Sequence, residues 1–128
     1  MTAPPYTETS GAVAAMRATV DLLRDAGIDA ITDVGAFFPA PIGVLVTLPT
    51  LTNRGQRSNT FSVPILIVSG DPLNTEMAVG RIYAIADDAA RTVRTAEYRP
   101  GSWAGNINAE PLPAIEMAAT VTIRTEEP

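Results

Sequence analysis

The stretch AIEMAATVTIR, residues 114–124, constrains the fold more than any other part of the chain. Ile115, Met117, Ala119, Val121 and Ile123 alternate with Glu116, Ala118, Thr120, Thr122 and Arg124. A strict period of two describes a β-strand with one dry face and one wet face. Such a strand is stable only within a sheet whose dry face is covered by other elements. The sequence must therefore contain both further strands and something to lay over them.

Two helical patterns can supply the cover. Between Ser10 and Ala26, Val13, Met16, Val20 and Leu23 recur at intervals of three and four, with Arg17, Asp21, Arg24 and Asp25 on other faces. Thr9 or Ser10 can cap its start, and Gly27 suits its end. The second pattern opens at Asn74-Thr75-Glu76 after an Asp71-Pro72 turn and runs to about Val93. Ala78, Ile82, Ile85, Ala86, Ala89 and Val93 form its apolar stripe, and the early acid favours a helix N-terminus.

The other strands are read from apolar, β-branched runs. IDAITDV (28–34) predicts a short strand with Ile28, Ala30 and Thr32 on one face. GAFFPAPIG (35–43) carries two prolines and leads irregularly into a strand from Ile42 to Leu48. NRGQRSN then marks a hairpin turn, in which Gly55 or an asparagine can supply a positive φ. TFSVPILIVS follows, with Phe61, Val63, Ile65 and Ile67 on one face. Proline cannot donate a ladder hydrogen bond, so Pro64 is expected on a free edge or at a bulge. Residues 98–113 are turn-rich and hold at most one short strand. The predicted order is α-β-β-β-α-β-β. This is an α+β fold: a mostly antiparallel sheet of about four to five strands, one long hairpin, and two helices packed on one face.

A chain of 128 residues with 46% apolar residues is expected to form a single domain over 1–128. Residues 1–9 read as a flexible lead-in without the basic and apolar blocks of a secretory signal, and 125–128 as a solvated tail. No apolar run approaches the ~20 residues of a membrane span, so a soluble protein is expected.

Composition narrows the chemistry. The chain has no cysteine and no histidine. That removes disulfides, thiolate nucleophiles, the usual zinc ligands and every Ser-His triad. All nine basic residues are arginine against fourteen acids, and the net charge of −5 disfavours non-specific binding of nucleic acid.

The basic loop around Gly55 invites a phosphate-binding reading. A phosphate-binding loop needs flanking glycines and a lysine at the start of a helix. Here Gly55 stands alone, lysine is absent and a strand follows, so the hairpin reading prevails. An anion at the start of the second helix would compete with Asp71 and Glu76. Among carboxylates, Asp29/Asp33, Asp87/Asp88 and Glu126/Glu127 lie on different elements and do not converge as Mg²⁺ or Ca²⁺ requires. Arg91 and Arg94 sit near a helix C-terminus, where the dipole favours them. No catalytic residue, cofactor site or metal site is predicted. Trp103, in a Pro-Gly loop, either covers the edge of the core or contacts a partner. Phe37 and Phe38 pose the same choice, since adjacent aromatics cannot easily enter one core together.

The whole pattern resembles the tail terminator proteins of bacteriophages with long, non-contractile tails, particularly those of actinobacterial hosts. The shared texture spans about residues 10–125. A first helix ends near Gly27-Ile28, and Pro39 and Pro41 precede an apolar strand and a hairpin. Gly70-Asp71-Pro72-Leu73-Asn74 opens an alanine-rich helix, and an alternating strand closes the chain. The resemblance implies a structural virion protein, assembled in the host cytoplasm and located at the head-proximal end of the tail. It implies a homo-hexameric ring that stops tube polymerisation and joins the head connector or stopper protein, without cofactor or catalysis. Its partners would be further copies of itself, the tail tube protein and the connector, with DNA passing through the lumen unbound and no membrane. On this reading Arg54, Arg57, Phe37, Phe38 and Trp103 are candidate interface residues. Asp87, Asp88, Glu126 and Glu127 are candidate lumen acids. Another neck or tube component, a small carboxylate-based enzyme and a binding module are the competing readings.

Overall fold

A computed structural model of the protein describes residues 7–37, 39, 41–70, 73, 75–105 and 110–124. In chain order the elements are α1 (Thr7–Asp25), β1 (Ala30–Ile31), a 3₁₀ turn (Val34–Ala36), β2 (Ile42–Val46), β3 (Thr50–Arg54), β4 (Ser58–Ser69), α2 (Glu76–Val93), β5 (Arg99–Trp103) and β6 (Leu112–Arg124). The sheet is mixed and mostly antiparallel, in the order β1-β2-β4-β6-β5, with β3 pairing the first half of β4. Only β1 and β2 run parallel. Both helices pack over the same side of the sheet, giving the α+β architecture expected.

The alternating strand sits where its pattern demands. β6 pairs with β4 along eleven residue pairs, from Ser58 opposite Arg124 to Val68 opposite Ala114. Ile115, Met117 and Ala119 are buried with Phe61, Val63, Ile65 and Ile67 of β4 beneath the helices, and Val121 and Ile123 pack at the margin. From above, α1 contributes Ala15, Val20 and Leu23, and α2 contributes Ile82, Ala86, Ala89 and Ala90. Burying each valine, leucine and isoleucine among them stabilises the fold by roughly 1.5–3 kcal/mol, and each alanine by less. Thr19 is the one polar residue fully inside α1's stripe, and its hydroxyl donates to the Ala15 carbonyl at 2.9 Å.

Helix ends follow the expected chemistry with one departure. Gly27 has φ 85°, and the Gly27 and Ile28 N–H groups close onto the Arg24 and Leu23 carbonyls at 2.9 Å each. This is a Schellman stop, and the glycine tolerates the left-handed backbone. Thr75 caps α2 by accepting from the Ala78 N–H at 3.1 Å. Its other end makes the same Schellman pattern through Arg94, at φ 60° without a glycine's freedom. The helix α1 starts at Thr7, so residues 7–9 are helical rather than lead-in, and Thr9 and Ser10 lie inside the helix rather than capping it. Val13 is 42% exposed and does not belong to the buried stripe, because Ala15 and Thr19 occupy that line.

Several strand boundaries are corrected. β1 is two residues long and Thr32 is exposed, since the chain turns into the 3₁₀ segment capped by Asp33, whose carboxylate accepts from the Gly35 N–H at 2.9 Å. β2 ends at Val46, and Leu48 is 80% exposed. The segment TLTNR forms an additional strand, β3, so the sheet has six strands rather than four or five. Pro64 sits in the central strand, not on a free edge. Its carbonyl accepts from the Thr47 N–H at 3.0 Å, just where β2 ends and before β3 begins. In an antiparallel ladder the N–H and C=O of one residue point the same way. The missing N–H of Pro64 therefore faces the break between two flanking strands.

Candidate functional site

The hairpin β3–β4 carries the two arginines that stood out in the sequence. All five residues of β3 are exposed. Thr50 pairs with Ser62 and Leu51 with Phe61, a bulge follows, and Asn53 and Arg54 pair with Thr60 and Asn59. The Thr52 hydroxyl donates to the Thr60 carbonyl at 3.1 Å across the bulge. At the tip the Gly55 N–H donates to the Ser58 carbonyl at 2.8 Å. Gly55 does not have a positive φ, contrary to expectation. It is needed for space, because a Cβ there would lie 2.7 Å from that same carbonyl. Arg54 and Arg57 are exposed, and neither forms an ion pair among the described residues. The loop leads from strand to strand, without the helix N-terminus that a phosphate cradle requires.

The aromatic candidates behave differently from one another. Phe37 is only 8% exposed and buries its ring on the helix-free face with Leu45, Val68 and Ala114. Gly43 lies directly beneath it, and a Cβ there would come within 2.6 Å of the ring. Trp103 belongs to β5, opposite Leu112, rather than to a loop. It meets Phe37 edge to face, with centroids 5.0 Å apart and planes at 82°. The two expected interface residues thus form a second small core, which leaves Phe37 little surface for a partner and Trp103 only partly exposed. Phe38 lies outside the described residues.

The acids on α2 divide between two partners. Asp87 accepts a hydrogen bond from the Tyr98 hydroxyl, and Asp88 pairs with Arg91 at 2.5 Å. Hydrogen bonding to Asp87 raises the Tyr98 phenol above its ordinary value, with smaller contributions from desolvation and nearby charge. Asp88 is offset by a cation, whereas Asp87 has a phenol rather than a cation as its partner. Glu126 and Glu127 lie outside the described residues. No three acids, histidines or cysteines come together as metal ligands among the described residues. Nor is any described helix long and apolar enough to cross a membrane.

One further feature escaped the sequence reading. A groove of about 470 Å³ runs between Tyr98 and Arg99 on one side and Pro64, Leu66, Glu116 and Ala118 on the other. Arg99 and Glu116 form an ion pair at 3.5 Å along its wall. Period-two alternation reports the face of a residue, not which side of a strand lacks a neighbour, so nothing in the pattern marked this place.

The fold and surface together define an α+β protein with a helix-covered sheet and an exposed basic hairpin. The chain matches no known protein family, and no curated protein matches it significantly.

Proposed function

We propose that this chain is a tail terminator of a long, non-contractile-tailed bacteriophage. It forms a ring on the head-proximal end of the tail tube, stops tube growth and presents a surface to the head connector. The observation that carries the reading is the β3–β4 hairpin, exposed along β3 and tipped by Arg54 and Arg57 without ion-pair partners among the described residues. On a chain of net charge −5, a basic projection is a docking point for an acidic neighbour, whether the next subunit or the tube. The element order of the resemblance also supports it, with a helix, a hairpin, a second helix and a closing alternating strand.

A closed ring needs a head-to-tail contact in which one surface meets a different one on the next copy. The hairpin supplies one half of such a contact. Six copies would carry about −30 in total, and an acidic lumen lets DNA pass without adhering. Asp87 is the described lumen candidate without a cation as its partner.

The test is Arg54→Glu combined with Arg57→Glu. The variant folds as the parent does, and its attachment to tail tubes at low salt is lost or strongly reduced in negative-stain images. Unchanged attachment at low salt would return the hairpin to plain solvated surface.

A further inference from the structure

The hairpin is the positive end of a chain that is electrically polar along its length. Residues 34–70 contain no acid. The β4–β6 ladder sets Arg124 opposite Ser58, so a third exposed arginine joins Arg54 and Arg57 at this end. None of the three forms an ion pair among the described residues.

Negative charge gathers at the other end of β4. There β1 lies outside β2, level with Leu66 and Ile67 of β4. Asp25, Asp29 and Asp33 lie around it, all exposed and without an ion pair among the described residues. Arg24 is the cation beside them, and its Nε donates to the Ala30 carbonyl at 3.0 Å; three acids against it leave this end negative. The dipole of α1 runs the same way. The helix begins over the hairpin end, where Gly11 lies against the Phe61 ring, and stops at Gly27 beside β1. Its positive end is therefore with the arginines and its negative end with the aspartates. From Ser58 to Ile67 the strand spans about 30 Å, several screening lengths, so the two ends cannot neutralise each other within one chain.

We propose that the neighbour of the hairpin is a second copy of this chain, whose edge of Asp25, Asp29 and Asp33 receives the basic end head to tail. The proposal takes from the ring reading the hairpin as a docking point, and chooses the next subunit over the tube as its acidic partner. The acids of α2 are poorer counterparts, because Asp88 already has Arg91 and Asp87 has Tyr98. Each surface also carries exposed apolar side chains beside its charges, Leu48 and Leu51 at the hairpin and Val34 next to Asp33, so the contact is not made of charge alone. Tip against tip, or edge against edge, would set like charges together, which selects the head-to-tail orientation. The two surfaces differ and each copy carries both, as a closing ring requires.

Sedimentation of the full chain without tail tubes, across concentration and salt, tests the proposal. The parent self-associates at low ionic strength and dissociates at about 1 M salt, where screening acts within about 3 Å. Arg54→Glu with Arg57→Glu, and separately Asp25→Arg with Asp29→Arg, each keep the circular dichroism of the parent and weaken self-association at least about tenfold. All four substitutions in one chain restore it, because a reversed tip then meets a reversed edge. A parent that stays monomeric at low salt, an Asp25→Arg, Asp29→Arg variant that associates as tightly as the parent, or a fourfold variant no tighter than either pair overturns it. Tail tubes separate this contact from the ring reading. Tube binding that needs Arg54 and Arg57, with self-association indifferent to the aspartates, keeps that reading and overturns this contact. Self-association that follows the charge reversals, with no binding to tubes, supports this contact and overturns that reading.

Discussion

Replacing Phe37 by alanine separates the two roles open to this aromatic. In the structure its ring is buried on Leu45, Val68 and Ala114, lies on Gly43, and meets Trp103 edge to face at 5.0 Å. Truncating a buried phenylalanine costs roughly 3–5 kcal/mol. The cluster is small and Trp103 is partly exposed, which places this case near the low end, at about 3 kcal/mol. About 1 kcal/mol of that belongs to the aromatic pair and is recovered as coupling in a double-mutant cycle with Trp103→Leu. Trp103 is the only tryptophan, so its fluorescence reports the site directly during urea unfolding. Phe37→Ala should lower the unfolding midpoint and shift the native emission to the red as water reaches the indole. A cost below about 1 kcal/mol with unchanged emission would refute the packing and return Phe37 to the surface as a partner contact.

Four further outcomes follow from the same geometry. Ile65→Ala, in the middle of β4 with its side chain fully buried, should cost about 3–4 kcal/mol in chemical denaturation. Gly55→Ala should cost about 1–2 kcal/mol by the same measurement, since its Cβ would press on the Ser58 carbonyl at 2.7 Å. Arg94→Gly should instead raise stability by about 0.5–1 kcal/mol, because glycine relieves the left-handed backbone at the end of α2. The raised Tyr98 phenol contributes stability that is fully present below its ordinary pKa of 10.0 and is lost as pH rises through the folded value. Asp87→Asn should bring the tyrosinate absorbance of Tyr98 to lower pH; an unmoved titration would contradict the hydrogen bond.

Much of the fold could be read because burial imposes periodicity. The odd-numbered residues of β6 and the stripe Ile82, Ala86, Ala89 of α2 face the core as their spacing requires. The features that escaped depend on neighbours distant in the chain. TLTNR has little apolar alternation and becomes a strand only because the first half of β4 offers it a ladder. Pro64 could be central only because β2 gives way to β3 opposite its missing N–H, which no local pattern encodes. The pairing of Phe37 with Trp103 joins residues on separate elements through their positions beside Leu45 and Ala114. At the candidate site, the sequence marked the two arginines and the hairpin, whereas exposure along β3 required the sheet order.

The central claim is best tested by electron microscopy of tail tubes grown with and without this protein. The ring reading predicts a ring of subunits at one end of each tube and tubes that stop lengthening once it is added. Tubes that keep growing at the same rate with no protein at either end would contradict it.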